Sequence, residues 1–221
     1  MKKFTVTQQY MICTVNEKGL FPGHDRKAVV CLIMSGILEM QLANCVFIEG
    51  KKLSVSGPLP EQMEYLRPLY QEMDRGKPIK IQKIVEAYLV TFTSKKLQAL
   101  VEAVLSRLEE EKAVIPVKAG ILGKQQGYIP EKEAVEDVIS GIRAGLLEDE
   151  APSEDVAAVA MLLDETGSLK KYVTRQEQKE LKARIKQIRS GEVGKTVREM
   201  VQYFDALAAC VLTSIISASN S

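Results

Sequence analysis

Tryptophan is missing from this sequence altogether, and histidine occurs once, as His24. A single imidazole cannot furnish the paired ligands of a histidine-based metal site, and it removes most nucleophile–histidine–acid arrangements. The four cysteines, Cys13, Cys31, Cys45 and Cys210, form no C-x-x-C pair. Each lies in an apolar neighbourhood, so they read as buried reduced thiols rather than zinc ligands or a disulfide framework. A glycine-rich phosphate loop is also absent. Gly191, Gly194, Lys195 and Thr196 end in the right residue types, but two residues separate the glycines where four are needed. Carboxylate pairs such as Glu136 and Asp137, and the run Glu109 to Glu111, fall on polar faces and read as solvated. No catalytic residue, metal or cofactor is expected, and the chain is read as non-enzymatic.

Long apolar runs are absent too. The longest, Ala206 to Ile216, falls short of the roughly 18–20 residues that span a bilayer. Met1, Lys2 and Lys3 are followed by a segment, Phe4 to Tyr10, interrupted by Thr, Gln and Tyr, rather than by the apolar core of a secretory leader. These features point to a cytoplasmic protein without a transmembrane helix, free or peripheral on a membrane, and the lack of eukaryotic-type targeting tails points to a bacterial one. A net charge of +1 argues against general nucleic-acid binding, yet it averages an uneven distribution. Residues 102–165 hold fifteen acidic against six basic residues, and residues 170–198 hold ten basic against three acidic. A basic block of this kind is more often a solvated helix face than a binding site.

What is present is helical periodicity interrupted by short β-rich stretches. Leu97, Leu100, Val101, Val104, Leu105 and Leu108 recur at the spacing of one helix face, with Ser94 as a candidate N-cap. After Lys112 the pattern changes to Val114, Ile115 and Val117, then a glycine-punctuated return through Ile121, Leu122, Tyr128 and Ile129, which predicts a β-hairpin. The same order, apolar helix then hairpin, occurs earlier: a helix from Asp25 to Leu42, then Cys45–Ile48 and Leu53–Val55 about a charged glycine turn. Residues 4–15 fit either a helix or a strand. Residues 61–74 predict a helix perturbed by Pro68, and Ile79 to Phe92 predicts another. Further helices are expected around Val135–Leu146, from Ser153 to Gly167, and from a Thr174–Glu177 capping box to about Arg189. The last apolar stretch, Val197 to Ile216, reads as a buried central helix. Together these predict a mainly α, single helical domain (residues 1–221, core about 10–216) around a buried central helix, with two or three small β-hairpins.

Two groups of residues stand out as candidate sites. His24, Arg26 and Lys27 open an apolar helix, where free N–H groups and cations can hold an anion, although Asp25 can equally serve as an ordinary cap. The hairpin residues Ile121, Leu122, Tyr128 and Ile129 either fold onto the core or form an exposed assembly or membrane element.

With these units in place, the chain resembles the Golgi phosphoprotein 3 family. The resemblance rests on Ser35-Gly36-Ile37-Leu38-Glu39-Met40-Gln41-Leu42 and the first hairpin, and on Leu97 to Val101 through Leu108 to Ile115 and the second hairpin. It continues through Ile139 to Leu147 and Asp155 to Leu163, with a small-residue break at Gly167. It implies one mainly helical domain and no catalysis. Eukaryotic members bind phosphatidylinositol 4-phosphate at the Golgi as peripheral membrane proteins and recruit glycosyltransferase tails. A hairpin supports their self-association and membrane contact. Their headgroup pocket uses a Trp and an Arg that fall here on His24 and Ile33, and two arginines that fall on Gln98 and Val101. Only His24, Arg26, Lys27, Lys95 and Lys96 could supply an anionic-headgroup site in this sequence. The expected partners are an anionic lipid headgroup and further copies of the chain, joined through the 113–129 hairpin. The alternative is a helical regulator contacting nucleic acid through its helix–hairpin units or the basic 170–198 segment.

Overall fold

Thr5 opens the first helix with a reciprocal cap. Its hydroxyl accepts from the Gln8 N–H, and its own N–H donates to Gln8 Oε1 at 3.0 Å. The helix that follows, α1 (Val6–Thr14), is buried at every position. A helix surrounded on all sides has no polar stripe, so its periodicity is mute; this is why the sequence leaves helix and strand open for residues 4–15. Two of its polar side chains find backbone partners. Gln9 donates to the Phe4 carbonyl at 2.8 Å, and the Tyr10 hydroxyl donates to the Ala28 carbonyl at 3.0 Å. The computed structural model describes residues 4–89, 95–120, 124–147 and 152–190. The expected central helix 197–216, Ser94, Ile121 and Leu122 lie outside that set. Among the described residues α1 holds the central place.

Around it pack α2 (Arg26–Leu42), α5 (Lys95–Glu110), α6 (Lys132–Leu147) and α7 (Glu154–Glu165). Asp25 caps α2 by accepting from the Lys27 N–H at 2.9 Å. The segment 61–73 begins as a 3-10 turn and becomes α3 (Arg67–Met73) with Pro68 in its first turn, where no backbone donor is needed. The helix expected from Ile79 starts later: Ile79–Lys80 form a short strand, β3, and α4 (Ile81–Leu89) follows. The capping box at the start of α8 (Arg175–Ser190) is formed, with Glu177 Oε2 accepting from the Thr174 N–H at 2.7 Å and Thr174 Oγ1 from the Glu177 N–H at 3.2 Å. The fold is mainly α, with small antiparallel sheets.

Strands β1 (Val46–Glu49), β2 (Lys52–Val55) and β3 form one sheet in the order β1-β2-β3. Strands β4 (Val114–Ala119) and β5 (Gln125–Pro130) form a hairpin. Both helix–hairpin units end their helix the same way. Asn44 and Lys112 take the left-handed conformation (φ 57° at each), and each helix closes with paired bonds three and five residues back. These run from the Asn44 and Cys45 N–H groups to Gln41 and Met40, and from the Lys112 and Ala113 N–H groups to Glu109 and Leu108. This is the Schellman termination, here made with residues other than glycine. The architectural repeat therefore extends to the hydrogen bonds that turn each helix into its hairpin.

On α5, Leu97, Leu100, Val104, Leu105 and Leu108 are buried. Burial of each such side chain contributes about 1.5–3 kcal/mol. The partly exposed ion pairs on its outer side, such as Arg107 with Glu111 at 2.8 Å, contribute at most about 1 kcal/mol each. Packing therefore fixes where α5 lies.

Candidate functional site

The position of α5 sets one wall of a cavity of about 710 Å³. Leu97, Val101 and Leu105 form its apolar floor, while Gln98, Glu102 and Ser106, one turn apart from each other, form a polar rim. The loop between α1 and α2 closes a second side with Leu20, Phe21, Gly23 and His24, and β5 closes a third with Gln125, Gln126 and Tyr128.

A glycine contact holds these walls together. Asn16 folds the loop by accepting from the Lys18 and Leu20 N–H groups at 2.9 and 3.1 Å. That turn puts Gly19 at φ 75° and aims its carbonyl at β5, where it accepts from the Tyr128 N–H at 2.7 Å. A Cβ on Gly19 would lie 2.9 Å from Tyr128 N and from Val117 Cγ2, and one on Gly127 would lie 2.6 Å from Ala119 Cβ and 2.8 Å from the Gly19 carbonyl oxygen. Two bare backbones are needed for the contact. The hairpin is thereby tied along the body of the protein at its middle, and β4 packs against α5.

Tyr128 faces the cavity and is only 7% exposed. Gln126 Nε2 donates to its hydroxyl at 2.7 Å. Burial, followed by the negative charge of Glu109 with a smaller effect from Glu102, pushes the Tyr128 phenol above its ordinary value. The lining contains Glu102 and no lysine or arginine among the described residues. Phosphate recognition relies on fixed cations and multidentate donors, and neither Gln98 nor Val101 supplies a charge.

Of the residues expected to hold an anionic headgroup, His24 lines this cavity. Arg26 and Lys27 lie in the first turn of α2, where the Asp25 carboxylate already takes the Lys27 N–H; the Lys27 ammonium is 3.8 Å from Glu165. Lys95 is exposed at the start of α5, and Lys96 is engaged by Glu72 at 2.6 Å. Of the expected hairpin residues, Tyr128 turns into the cavity wall, whereas Ile129 is 41% exposed. Its direct cross-strand partner is Ile115, 47% exposed, which the sequence reading does not single out. Glu102, Ser106, Gln125 and Gln126 were likewise not singled out; the Gln98–Glu102–Ser106 stripe at intervals of four is the signal that marks the rim.

The thiols Cys13, Cys31 and Cys45 are free and buried. Burial pushes Cys13 and Cys31 up to about 12 and also raises Cys45, so all three stay protonated and poorly nucleophilic at neutral pH. Cys210 lies outside the described residues. Among the described residues no group of three His, Cys, Asp or Glu could hold a metal ion, and no helix is long and apolar enough to cross a membrane.

Fold and site define a class: a mainly helical domain with two helix–hairpin units, one of which walls a cation-poor cavity. The family model described as Golgi phosphoprotein 3 (GPP34) matches residues 7–204. The chain belongs to the Golgi phosphoprotein 3 family. No curated protein matches it.

Proposed function

We propose that this chain is a non-enzymatic adaptor of its family, peripheral on a membrane and self-associating through the β4–β5 hairpin. One observation carries the reading: Ile115 and Ile129 stand directly opposite each other on the hairpin, both close to half exposed. Paired apolar side chains left in water on a tethered hairpin favour a partner surface. Covering what remains exposed of the two would contribute about 1 kcal/mol each, so the pair alone makes a weak contact and a larger apolar surface is required. Ile121 and Leu122, which lie between the two strands in sequence, are proposed to add to it.

The pairing geometry favours face-to-face contact over strand addition. Tyr128 directs its N–H outward to Gly19, so its partner Pro116 occupies an outward-facing position on β4. Proline there, followed by exposed Lys118, blunts the open edge against further strands.

Sedimentation of the full chain tests the reading. The wild type is expected to sediment as an oligomer, and an Ile115→Asp, Ile129→Asp double variant as a monomer with an unchanged far-UV spectrum. A wild type that is monomeric at all concentrations overturns self-association.

A further inference from the structure

Beyond the cavity and the hairpin, one face of the first sheet is left uncovered by the described residues. The register places Val46, Ile48 and Leu53 on the inner face of β1-β2-β3, where they are buried. Phe47, Glu49, Lys52, Ser54 and Lys80 share the other face. Phe47 is 50% exposed, the most exposed of the large apolar side chains described. Lys52 and Lys80 are direct cross-strand partners. Like charges opposed across a ladder are unfavourable. The turn adds another lysine, because the Lys51 carbonyl accepts from the Ile81 N–H at 3.1 Å and so anchors Lys51 beside the β3–α4 junction. Lys83 is exposed on the first turn of α4. Glu49 is the only acid on the sheet face, and Lys51, Lys52 and Lys80 form no ion pair among the described residues.

We infer that this lysine-rich, phenylalanine-tipped sheet is the face that meets an anionic membrane surface. Charge complementarity selects the occupant. Lysines are strongly hydrated point charges suited to a diffuse negative surface, and no arginine fork is present for bidentate reading of individual groups. Phe47 offers an exposed aromatic ring of the kind that enters the headgroup boundary. The inference rests on the peripheral-membrane reading and gives that reading a contact face. It also separates two duties: the cavity has no fixed cation in its described lining, whereas the sheet concentrates cations on an exposed face.

Vesicle co-sedimentation with the full chain tests it, using phosphatidylcholine alone and phosphatidylcholine with phosphatidylglycerol in equal parts. The wild type is expected to bind only the anionic vesicles, and less as salt rises. Each surface lysine contributes about fivefold in partitioning, so a Lys51→Glu, Lys52→Glu, Lys80→Glu variant should lose at least about a hundredfold. The matching triple arginine variant should retain binding, which separates charge from folding. Phe47→Ala should weaken binding several-fold with an unchanged melting temperature. If the wild type binds anionic vesicles and the triple glutamate variant binds equally well, the contact face is wrong while the peripheral reading stands. If the wild type binds neither vesicle, the peripheral reading itself fails. Salt-sensitive binding to duplex DNA instead, lost in the triple glutamate variant, would reassign the face to nucleic acid and overturn the membrane inference.

Discussion

Glu39 is a buried carboxyl in the last turn of the apolar helix α2, and its partners explain why it is tolerated. It accepts from the Thr7 N–H at 2.9 Å and from the Tyr65 hydroxyl, which also lies 2.8 Å from Thr5 Oγ1. The carboxyl thus joins the start of α1 to α2 and to the 3-10 turn before α3. Burial raises its pKa, and the hydrogen bonds from Tyr65 and Thr7 only partly offset this. A folded-state pKa above the unfolded value of about 4.3 means that the contribution is complete below that value. It is lost as pH rises through the folded-state pKa. Glu72 and Glu177, held below their ordinary values, act in the opposite direction, so comparison with a variant is needed to isolate Glu39. Glu39→Gln should be less stable than wild type at low pH by about 1–3 kcal/mol, and the gap should narrow as pH rises. Urea melts across the acidic and neutral range measure it; a gap constant with pH would contradict the account. At the cavity, the full chain should show no saturable binding of a soluble inositol phosphate, which calorimetry can check, because Glu102 and the glutamines offer no fixed cation. These residue-scale features were only partly legible. The helical spacing places Gln98 and Val101 on α5, but that Tyr128 turns inward depends on the strand register, which a glycine-rich run specifies weakly.

At the scale of elements, both helix–hairpin units were legible: α5 keeps one polar side, α2 is an apolar run too long for a strand, and both turns carry glycine and charge. Their terminations were not, since Asn44 and Lys112 take a conformation usually given to glycine. The body of α1 was ambiguous because burial on every side erases the pattern on which such readings depend. The Gly19–Gly127 contact was invisible for another reason: it is a backbone approach that depends on neither residue having a Cβ, and it joins positions far apart in sequence. Gly19→Ala should cost at least about 1–2 kcal/mol for the left-handed backbone alone, and more from the close approach to Tyr128 and Val117. Gly57→Ala is the matched control, because its backbone is ordinary and its Cβ would meet nothing within 4 Å. Denaturant melts of the two variants should separate them clearly; equal stability would mean that the loop does not bear on the hairpin.

For the whole molecule, the basic charge of α8 stays at the surface: Lys179, Lys182 and Lys186 are exposed, while Leu181, Ile185 and Ile188 are buried. Helix α8 packs against α6 and α7, which come from the acidic stretch; Lys182 lies 4.0 Å from Asp164 of α7, while the 2.8 Å pair with α6 runs the other way, from Arg143 of α6 to Glu177 of α8. Segment charge alone overlooks the smaller lysine cluster that the first sheet assembles from two short stretches. Family membership was legible across most of the chain, because many weak patterns occur in order. The two exposed isoleucines were not, since pairing Ile115 with Ile129 requires the register. The central claim is that this apolar pair joins copies of the chain, and sedimentation equilibrium over a wide concentration range tests it most directly. The account predicts a concentration-dependent oligomer for the wild type and a monomer for Ile115→Asp, Ile129→Asp. An oligomer of the same size and affinity in both proteins would contradict it.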